Sequence, residues 1–297
     1  MHNAQPNRLF IRGMWGLGDN IYSRPFVRAA TIQYEVDLET PWPELYSDLN
    51  IKFRRGTRRL RTQQKNVLRQ PADRWTQPWP MREITVGYTD LASHSIIKSL
   101  ERRWSMLNIG FDPELFDLPE MGPSPIKSER PIAIIRPVTV RKEWCNEARN
   151  PRPEYINAIA AELMATHTVV AVADIAPGEE WLIGEVPPAH RHFLSGQLAI
   201  RELLALVRDA DIMVGGVGWI VPAGLALRVK TFVVLGGHGG HNAPAKLTDP
   251  RLDLSRIGFA RPEAFCECTN MLHNCDKKIA DPLGQFSRWW SNLHMAA

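Results

Sequence analysis

Short apolar segments alternate with amphipathic segments along most of the chain. In the N-terminal part, strand-like runs such as RLFIRG and REITVGYT are separated by segments whose apolar residues recur at helical spacing. The alternation restarts further on, where the apolar runs are PIAIIRPV, TVVAVADI, DIMVGG and KTFVVLGG. Strands that alternate with helices predict parallel sheets covered by helices on both faces. We therefore expect an α/β protein with two Rossmann-like, doubly wound domains.

A proline-rich segment, FDPELFDLPEMGPSPIKSERP, separates the two blocks and has the composition of a linker. We predict an N-terminal domain over residues 1–128 and a C-terminal domain over 129–280. Residues 281–297 form a terminal helix, for which packing on the N-terminal domain is one option. Two open α/β domains joined in this way face each other across a central cleft, and ligands bind at the carboxyl ends of their strands.

The composition is typical of a soluble globular protein, with 297 residues of which 44% are hydrophobic and 23% charged. The longest weakly polar run, VGGVGWIVPAGLAL, is short and interrupted by Gly and Pro, so no transmembrane segment is predicted. The N-terminal MHNAQPNRLF lacks the charged start and apolar core of a signal peptide. We expect a cytoplasmic protein, with peripheral attachment to the inner membrane face as an option. The net charge of +4 favours an anionic partner.

The stretch RGMWGLGDNIYSRPF joins a predicted strand to a predicted helix through a glycine-containing turn. Backbone N–H groups and the helix dipole converge at such a turn, which makes it a common site for small ligands. Asp19 is unexpected there, because a loop that binds phosphate disfavours a negative side chain. Two interpretations are open. Asp19 caps the helix, or its carboxylate takes part in chemistry.

Two more glycine-bearing turns, GGVGW and LGGHGGHNAP, follow predicted strands of the second block. Gly215, Gly216 and Gly218 would allow phosphate to approach the backbone, although such glycines also serve close helix–sheet packing. His238 and His241 in the other turn have no third metal ligand nearby in the sequence, which favours contact with a ligand over metal binding.

Four segments, taken in their order along the chain, resemble the heptosyltransferase-type glycosyltransferases of family 9, which have the GT-B fold. GLGDNIYSRPF is similar to the family's G-D-x-x-x-x-x-P signature, and RPVTVRKEW is similar to its K-x-W-P segment, with Cys145 in place of the proline. The run from LLALVRDADIMVGG to VVLGG resembles the donor-site run. FCECTNMLHNCDKKI resembles a Cys-containing loop that precedes the final helix. The chain departs from the family where Val217, Gly218 and Trp219 replace the donor-site Asp-Thr-Gly.

The resemblance implies an inverting, metal-independent transfer of a heptose or related sugar from a nucleoside diphosphate to a hydroxyl acceptor. Asp19 would be the general base that takes the proton of that hydroxyl, with Gly18 and Asn20 beside the acceptor. Lys142, with Arg136 or Arg141 nearby, would neutralise the leaving diphosphate, and ordinary surface charge at a strand end is the alternative interpretation. The absence of the Asp-Thr-Gly leaves open a catalytically silent relative that only binds a nucleotide or nucleic acid.

The donor side is assigned to the C-terminal domain. Its candidate residues are Lys142, Arg136, Glu180, Gly215, Gly216, Gly218, Trp219, His238, Gly239, His241 and Asn242. Glu180 falls where the family places an acid near the ribose or base of the donor, although Glu179 is equally available.

A basic stretch, KFRRGTRRLRTQQKNVLRQ, lies in the acceptor-side domain and fits a polyanionic acceptor. That acceptor is a lipopolysaccharide core or, as in phage-type glycosyltransferases, a modified base of DNA. Arg58, Arg59 and Arg61 are the candidate contacts, and Trp75 and Trp79 could stack on a sugar or base. A solvated helix face is the alternative interpretation of the same charges.

Cys266, Cys268, His273 and Cys275 form a C-x-C-x4-H-x-C pattern. Such soft ligands in one short segment could hold a tetrahedral zinc that stabilises the loop. Reduced, buried cysteines are the other interpretation. The zinc would be structural, since no cofactor is required for the predicted catalysis. The chain's four cysteines are too few for a disulfide framework in a protein of this length.

Overall fold

The computed structural model describes residues 7–56, 60–76 and 82–295 and divides the chain into two compact units, Met1–Glu120 and Met121–Ala297. The sequence suggests a boundary at residue 128, within the same proline-rich segment. The predicted contacts Arg58, Arg59 and Trp79 lie outside the described residues.

The first unit is an α/β unit built on four parallel strands. The strands are β1 (Arg8–Arg12), β2 (Glu35–Glu39), β3 (Ile51–Arg54) and β4 (Arg82–Thr85), and the helices are α1 (Leu17–Ala30), α2 (Arg61–Arg69) and α3 (Ile96–Trp104). Single 3-10 turns cover Pro43–Tyr46, Ala72–Arg74, Ser105–Leu107 and Pro113–Leu115. The sheet order is β3-β2-β1-β4, so β1 lies between β2 and β4. This central position brings the segments that follow β1, β2 and β4 to one sheet edge.

The second unit contains a six-stranded parallel sheet and a separate antiparallel pair. The strands are β5 (Ile132–Arg136), β6 (Thr139–Arg141), β7 (Thr168–Val172), β8 (Glu180–Leu182), β9 (Arg191–Phe193), β10 (Ile212–Gly215), β11 (Lys230–Val234) and β12 (Ile257–Ala260). The helices are α4 (Pro153–Leu163), α5 (Ile200–Arg208), α6 (Ile220–Leu227), α7 (Gly239–Asn242), α8 (Pro244–Leu247) and α9 (Pro282–Met295). The large sheet has the order β12-β11-β10-β5-β7-β9, and β6 pairs with β8. Numbered by strand of the large sheet, this is the Rossmann order 3-2-1-4-5-6.

Helices cover this sheet, and its central strands are therefore apolar throughout. Residues 132–135 of β5 and all of β10 are buried, as expected for parallel strands covered on both faces. The terminal helix α9 packs within the second unit against α4 and β12, and Phe286 contacts Phe232 edge-to-face at 5.3 Å. None of the helices in the described part of the chain combines the length and apolarity that a membrane span requires.

Helix α1 carries a fully buried arginine, Arg24. Its guanidinium donates to the backbone carbonyls of Leu45 at 2.6 Å and Asp117 at 2.8 Å. It also donates to both carboxylate oxygens of Asp48, at 2.9 and 2.6 Å, and to the Asp117 carboxylate at 3.2 Å. These bonds connect α1 to two segments that are distant in the sequence.

We expect Arg24→Ala to lower the free energy of unfolding of the chain by about 3 kcal/mol, because the variant removes a fully buried guanidinium and leaves the buried Leu45 carbonyl without its donor. Urea-induced unfolding measures this loss. Arg8→Ala is the matched control, since Arg8 pairs with Glu35 at the surface, and it should cost less than about 1 kcal/mol. Equally small losses from both variants would show that the Arg24 network does not stabilise the fold.

Candidate functional site

The turn that carries Asp19 lies at the carboxyl edge of the first sheet. Strand β1 ends at Arg12, and α1 begins at Leu17 with Gly16 as its N-cap residue. The interpretation of Asp19 as the N-cap is therefore wrong, because Asp19 lies inside the first turn of the helix. A carboxylate in that turn is stabilised by the positive end of the helix dipole.

The Asp19 carboxylate folds back over Gly16 and accepts a hydrogen bond from Tyr88. A Cβ atom at Gly16 would overlap Oδ2 of Asp19, so the position requires glycine for this side-chain conformation. The Tyr88 hydroxyl donates to Oδ1 of Asp19 at 2.5 Å. Tyr88 follows β4, the neighbour of β1, and both segments therefore emerge at the same sheet edge. Sequence reasoning missed Tyr88, because nothing in the linear pattern shows that β4 pairs with β1.

Two tyrosines beside Asp19 are held in the protonated state. Burial raises the pKa of Tyr88 well above its usual value, and the negative charge of Asp19 and its hydrogen bond raise it further. Burial and the same carboxylate raise the pKa of Tyr22. Both phenols remain neutral at physiological pH, so the Tyr88 hydroxyl can act as a donor to the carboxylate.

Asn20, predicted to lie beside the acceptor, is buried and connects the Asp19 turn to its surroundings. Its amide donates to the carbonyls of Met14 at 2.7 Å and Gly16 at 2.8 Å. Its Oδ1 accepts from the Thr40 hydroxyl at 2.7 Å and the Tyr46 hydroxyl at 3.2 Å. The side chain thus shapes the turn from inside the protein.

The same turn presents partly exposed groups. Gly18 is half-buried in the first turn of α1, next to Asp19. Trp15 is exposed, and its carbonyl accepts hydrogen bonds from the Trp42 indole at 2.7 Å and the Gln63 amide at 2.9 Å. Trp15 is a second residue of this region that sequence reasoning did not assign.

The basic stretch is distributed over several environments. Arg54 is buried, pairs with Asp37 at 2.6 Å and lies over the Phe10 ring. Arg61 is half-buried at the start of α2, and Trp75 is half-buried and forms a parallel bridge with Phe53. Over the described residues, the stretch therefore does not form one uniform, solvated cationic face.

In the second unit, Arg136 and the GGVGW turn lie together at the carboxyl edge of the large sheet. Arg136 ends β5, Gly215 ends β10, and the two residues are register partners. The guanidinium carbon of Arg136 lies 3.4 Å from the position that a Cβ atom at Gly218 would occupy. Helix α6 follows with Trp219 as its N-cap, so its N-terminus lies at this edge. In its first turn, the Val221 N–H donates to the Gly218 carbonyl at 3.2 Å, and Pro222 has no N–H.

The Arg136 guanidinium lies among other cations. Burial lowers its pKa to about 10, with further lowering by Arg149 and Arg141, whereas Glu180 acts in the opposite direction. Within the ranges that the structure describes, Arg136 makes no side-chain hydrogen bond and no ion pair with the protein. A concentration of positive charge at the N-terminus of a helix is suited to an anion such as a phosphate.

The other charged residues predicted for the donor side lie on or next to the antiparallel pair β6–β8. Glu180 is buried and forms an ion pair with Arg141 at 2.7 Å, whereas Glu179 is exposed. Lys142 is exposed just beyond β6, and its backbone N–H donates to the Glu179 carbonyl at 2.8 Å. Glu180 therefore also counterbalances part of the charge around Arg136.

The GGHGG turn packs against the cysteine-containing loop. The N–H groups of Gly239 and Gly240 donate to the carbonyls of Cys266 and Cys268, at 2.8 and 3.1 Å. A Cβ atom at either glycine would approach those same carbonyls within 3.0 Å. The glycines thus serve close packing of two loops.

The polar side chains of this turn lie mainly inside the protein. His238 has a left-handed backbone with φ of 58° and is buried, as is Asn242. The amides of Asn242 and Asn146 lie 2.9 and 3.2 Å from Nδ1 of His238. His241 is half-buried with its ring edge-to-face against His238. Among the three polar side chains predicted to contact a ligand, His238 and Asn242 are therefore buried and His241 is partly accessible.

Cys266, Cys268, His273 and Cys275 converge, with their potential ligand atoms within 4.8 Å of one another. Sγ of Cys268 lies 3.5 Å from Sγ of Cys275, and Nδ1 of His273 lies 3.4 Å from Sγ of Cys266 and 3.3 Å from Sγ of Cys275. Ligand atoms around a tetrahedral zinc are separated by about 3.5–3.8 Å, given its usual Zn–S and Zn–N bond lengths. The four side chains can therefore hold a metal ion.

No protein-family model and no curated protein matches the chain. Solved structures with a similar fold do match it. The chain is similar to TibC from enterotoxigenic E. coli H10407, an iron-containing dodecameric glycosyltransferase, with a TM-score of 0.66 and 13% identity. The match covers 98% of this chain and 77% of TibC. A second structure, of the heptosyltransferase TibC with ADP-D-β-D-heptose, gives 0.66 and 14% over the same shares.

A family 9 glycosyltransferase from Veillonella parvula DSM 2008 has a TM-score of 0.57 and 9% identity, over 100% of this chain and 99% of that chain. These similarities show a shared fold. The predicted α/β class with two Rossmann-like domains and the predicted heptosyltransferase-like GT-B fold are confirmed.

Proposed function

We propose that this protein is an inverting glycosyltransferase that moves a sugar from a nucleoside diphosphate to a hydroxyl acceptor, with Asp19 as the general base. The observation that carries the proposal is the Asp19 carboxylate, placed in the first turn of α1 and bound by Tyr88 at the carboxyl edge of the sheet. Ligands bind at this edge in open α/β sheets. The fold shared with TibC supports the same reaction class.

The chemistry follows from a carboxylate held within reach of the acceptor. The acceptor oxygen attacks the anomeric carbon of the sugar while its proton passes to Asp19. The bond between that carbon and the phosphate oxygen breaks, and the nucleoside diphosphate leaves from the opposite face with the electron pair. The configuration at the anomeric carbon is thereby inverted.

We expect Asp19→Asn to reduce the turnover number by at least about 100-fold, because the amide cannot accept the proton of the acceptor. The amide oxygen can still accept the Tyr88 hydrogen bond, so folding and donor binding should be preserved. Transfer to a panel of sugar acceptors measures turnover, and calorimetry with nucleoside diphosphates measures donor binding.

Asp73→Asn is the matched control for this test, since Asp73 is an exposed acid of the same unit. A fully active Asp19→Asn variant would remove Asp19 as the base. Nucleotide binding by an unmodified chain that transfers no sugar would instead favour the catalytically silent relative.

The donor diphosphate is proposed to bind at the carboxyl edge of the second sheet. Arg136 supplies a half-buried guanidinium beside Gly218, at the N-terminus of α6. Lys142 adds an exposed cation at the end of β6. Charge that grows on the diphosphate during bond breakage would be stabilised by these groups.

We expect Arg136→Gln to weaken nucleoside diphosphate binding by about tenfold or more, because it removes a charge-assisted contact from a partly desolvated site. Titration calorimetry with ADP, GDP, UDP and CDP measures the affinity and identifies the base. Arg191→Gln is the matched control, because Arg191 is exposed on β9 and should leave the affinity unchanged. Equal affinities for all three proteins would place the diphosphate elsewhere.

For the substrates, we propose an ADP-linked heptose or related sugar as donor and an anionic glycan, such as a lipopolysaccharide core, as acceptor. The donor proposal is supported by the TibC complex with ADP-D-β-D-heptose. For the acceptor, Arg61 and Trp75 are the predicted contacts that lie within the described residues. DNA with modified bases is the alternative acceptor in the same assay.

We also propose that the cysteine cluster binds a structural zinc. Three thiolates and one imidazole form a donor set that zinc prefers, and their spacing fits tetrahedral coordination. The ion would fix the loop whose Cys266 and Cys268 carbonyls hold Gly239 and Gly240. The metal would therefore act on loop structure, with no part in bond breakage.

We expect the purified protein to carry about one zinc per chain, and Cys266→Ser and Cys275→Ser to lose it, because structural sites need all of their ligands. Mass spectrometry for metals measures the content. Cys145→Ser is the matched control and should retain the ion, since Cys145 lies outside the cluster. Iron in place of zinc would correct the choice of metal, and a metal-free protein would overturn the site.

A further inference from the structure

Tyr88, whose hydroxyl binds Asp19, is held in place by hydrogen bonds of the residues before and after it in the chain. The backbone N–H of Val86, two residues before Tyr88, donates to the Arg12 carbonyl at 2.9 Å and extends the β1–β4 pairing. On the other side of Tyr88, Thr89 and Ser99 of α3 exchange two hydrogen bonds of 3.0 and 2.7 Å. The phenol is therefore presented from a segment attached to both the sheet and a helix.

A carboxylate that acts as a base must present one oxygen in a fixed direction. The Tyr88 hydroxyl donates a hydrogen bond to Oδ1 of Asp19, and this bond restricts rotation of the carboxylate about the Cβ–Cγ bond. Gly16 leaves the space in which Oδ2 lies. A donor to the charged form of a carboxylate also favours that form, which keeps a base ionised in mildly acidic solution.

Within the described ranges, several charged groups on the neighbouring elements pair with one another. Arg12 on β1 pairs with Glu83 on β4, and Asp90 after β4 lies 4.0 Å from Arg102 on α3. On α1, Arg24 is directed to Asp48 and Asp117, and Tyr22 is held neutral beside Asp19. Among the described residues, the Tyr88 hydroxyl donates a hydrogen bond directly to the Asp19 carboxylate and is therefore placed to tune it.

We propose that Tyr88 is a positioning residue of the transfer reaction, whose hydroxyl orients the Asp19 carboxylate and keeps it ionised. The inference rests on the proposed function, because it assigns Tyr88 a role toward the proposed base. Tyr88 itself takes up no proton from the acceptor.

Tyr88→Phe tests the proposal through pH dependence, which a purely structural role would not move. Loss of the phenol should raise the pKa of Asp19, and the acid limb of the kcat/KM profile should move upward by about one pH unit. The turnover number on the alkaline plateau should fall less than in Asp19→Asn. Urea unfolding verifies that the variant is folded, and Tyr34→Phe, which alters a half-buried tyrosine after α1, is the matched control.

Carboxyl-carbon NMR titration of Asp19 separates this inference from the proposed function, because it requires no turnover. An upward shift of the Asp19 pKa in Tyr88→Phe together with the shifted acid limb supports the proposal. The same Asp19 pKa in both proteins would overturn it. A shifted NMR pKa with an unmoved acid limb would overturn Asp19 as the base and, with it, the role of Tyr88.

Discussion

The buried polar face of helix α1 is the constraint on which the candidate base depends. Asn20 and Arg24 lie four residues apart and therefore on one face, where both are buried. All five N–H donors of Arg24 have acceptors, and the Asn20 amide binds the turn before the helix. Because each unsatisfied buried group would cost about 1–3 kcal/mol, the helix has little freedom to rotate. Asp19, next to Asn20, is consequently held at the sheet edge.

The strand–turn–helix at Asp19 could be predicted from the sequence, but its chemistry could not. Apolar runs and glycines indicate the turn, since they reflect burial and backbone freedom. The helix begins earlier than the Asp19 cap interpretation requires, because Gly16 takes the N-cap position without a side-chain bond. The Tyr88 partner depends on parallel pairing between β1 and β4, which are separated by two other strands in the chain. Such long-range pairing leaves no local pattern.

The second unit shows a different limit of sequence reasoning. The alternation with helices predicts the longer strands and their parallel arrangement. Strands β6 and β8 have only three residues each, and their mixed composition shows no periodic pattern. The sequence therefore does not predict the Arg141–Glu180 ion pair that forms between these two strands. His238, Gly239 and His241 are predicted to contact a ligand, and this role stays a prediction. Part of this turn instead packs on the cysteine loop, because glycine equally suits a ligand or a neighbouring backbone.

Val217, Gly218 and Trp219 stand where the family has Asp-Thr-Gly. Of these three residues, Gly218 lies beside the Arg136 guanidinium. Gly218 leaves room for the Arg136 guanidinium beside the turn, with Arg141 and Arg149 nearby. Crowded, partly desolvated cations are costly unless an anion offsets them. In the proposed function, the bound diphosphate would supply that anion, and the cost of the crowded cations in the free protein would then favour binding. Gly218 is thus compatible with the proposed donor site, in which arginine side chains would carry the charge of the diphosphate.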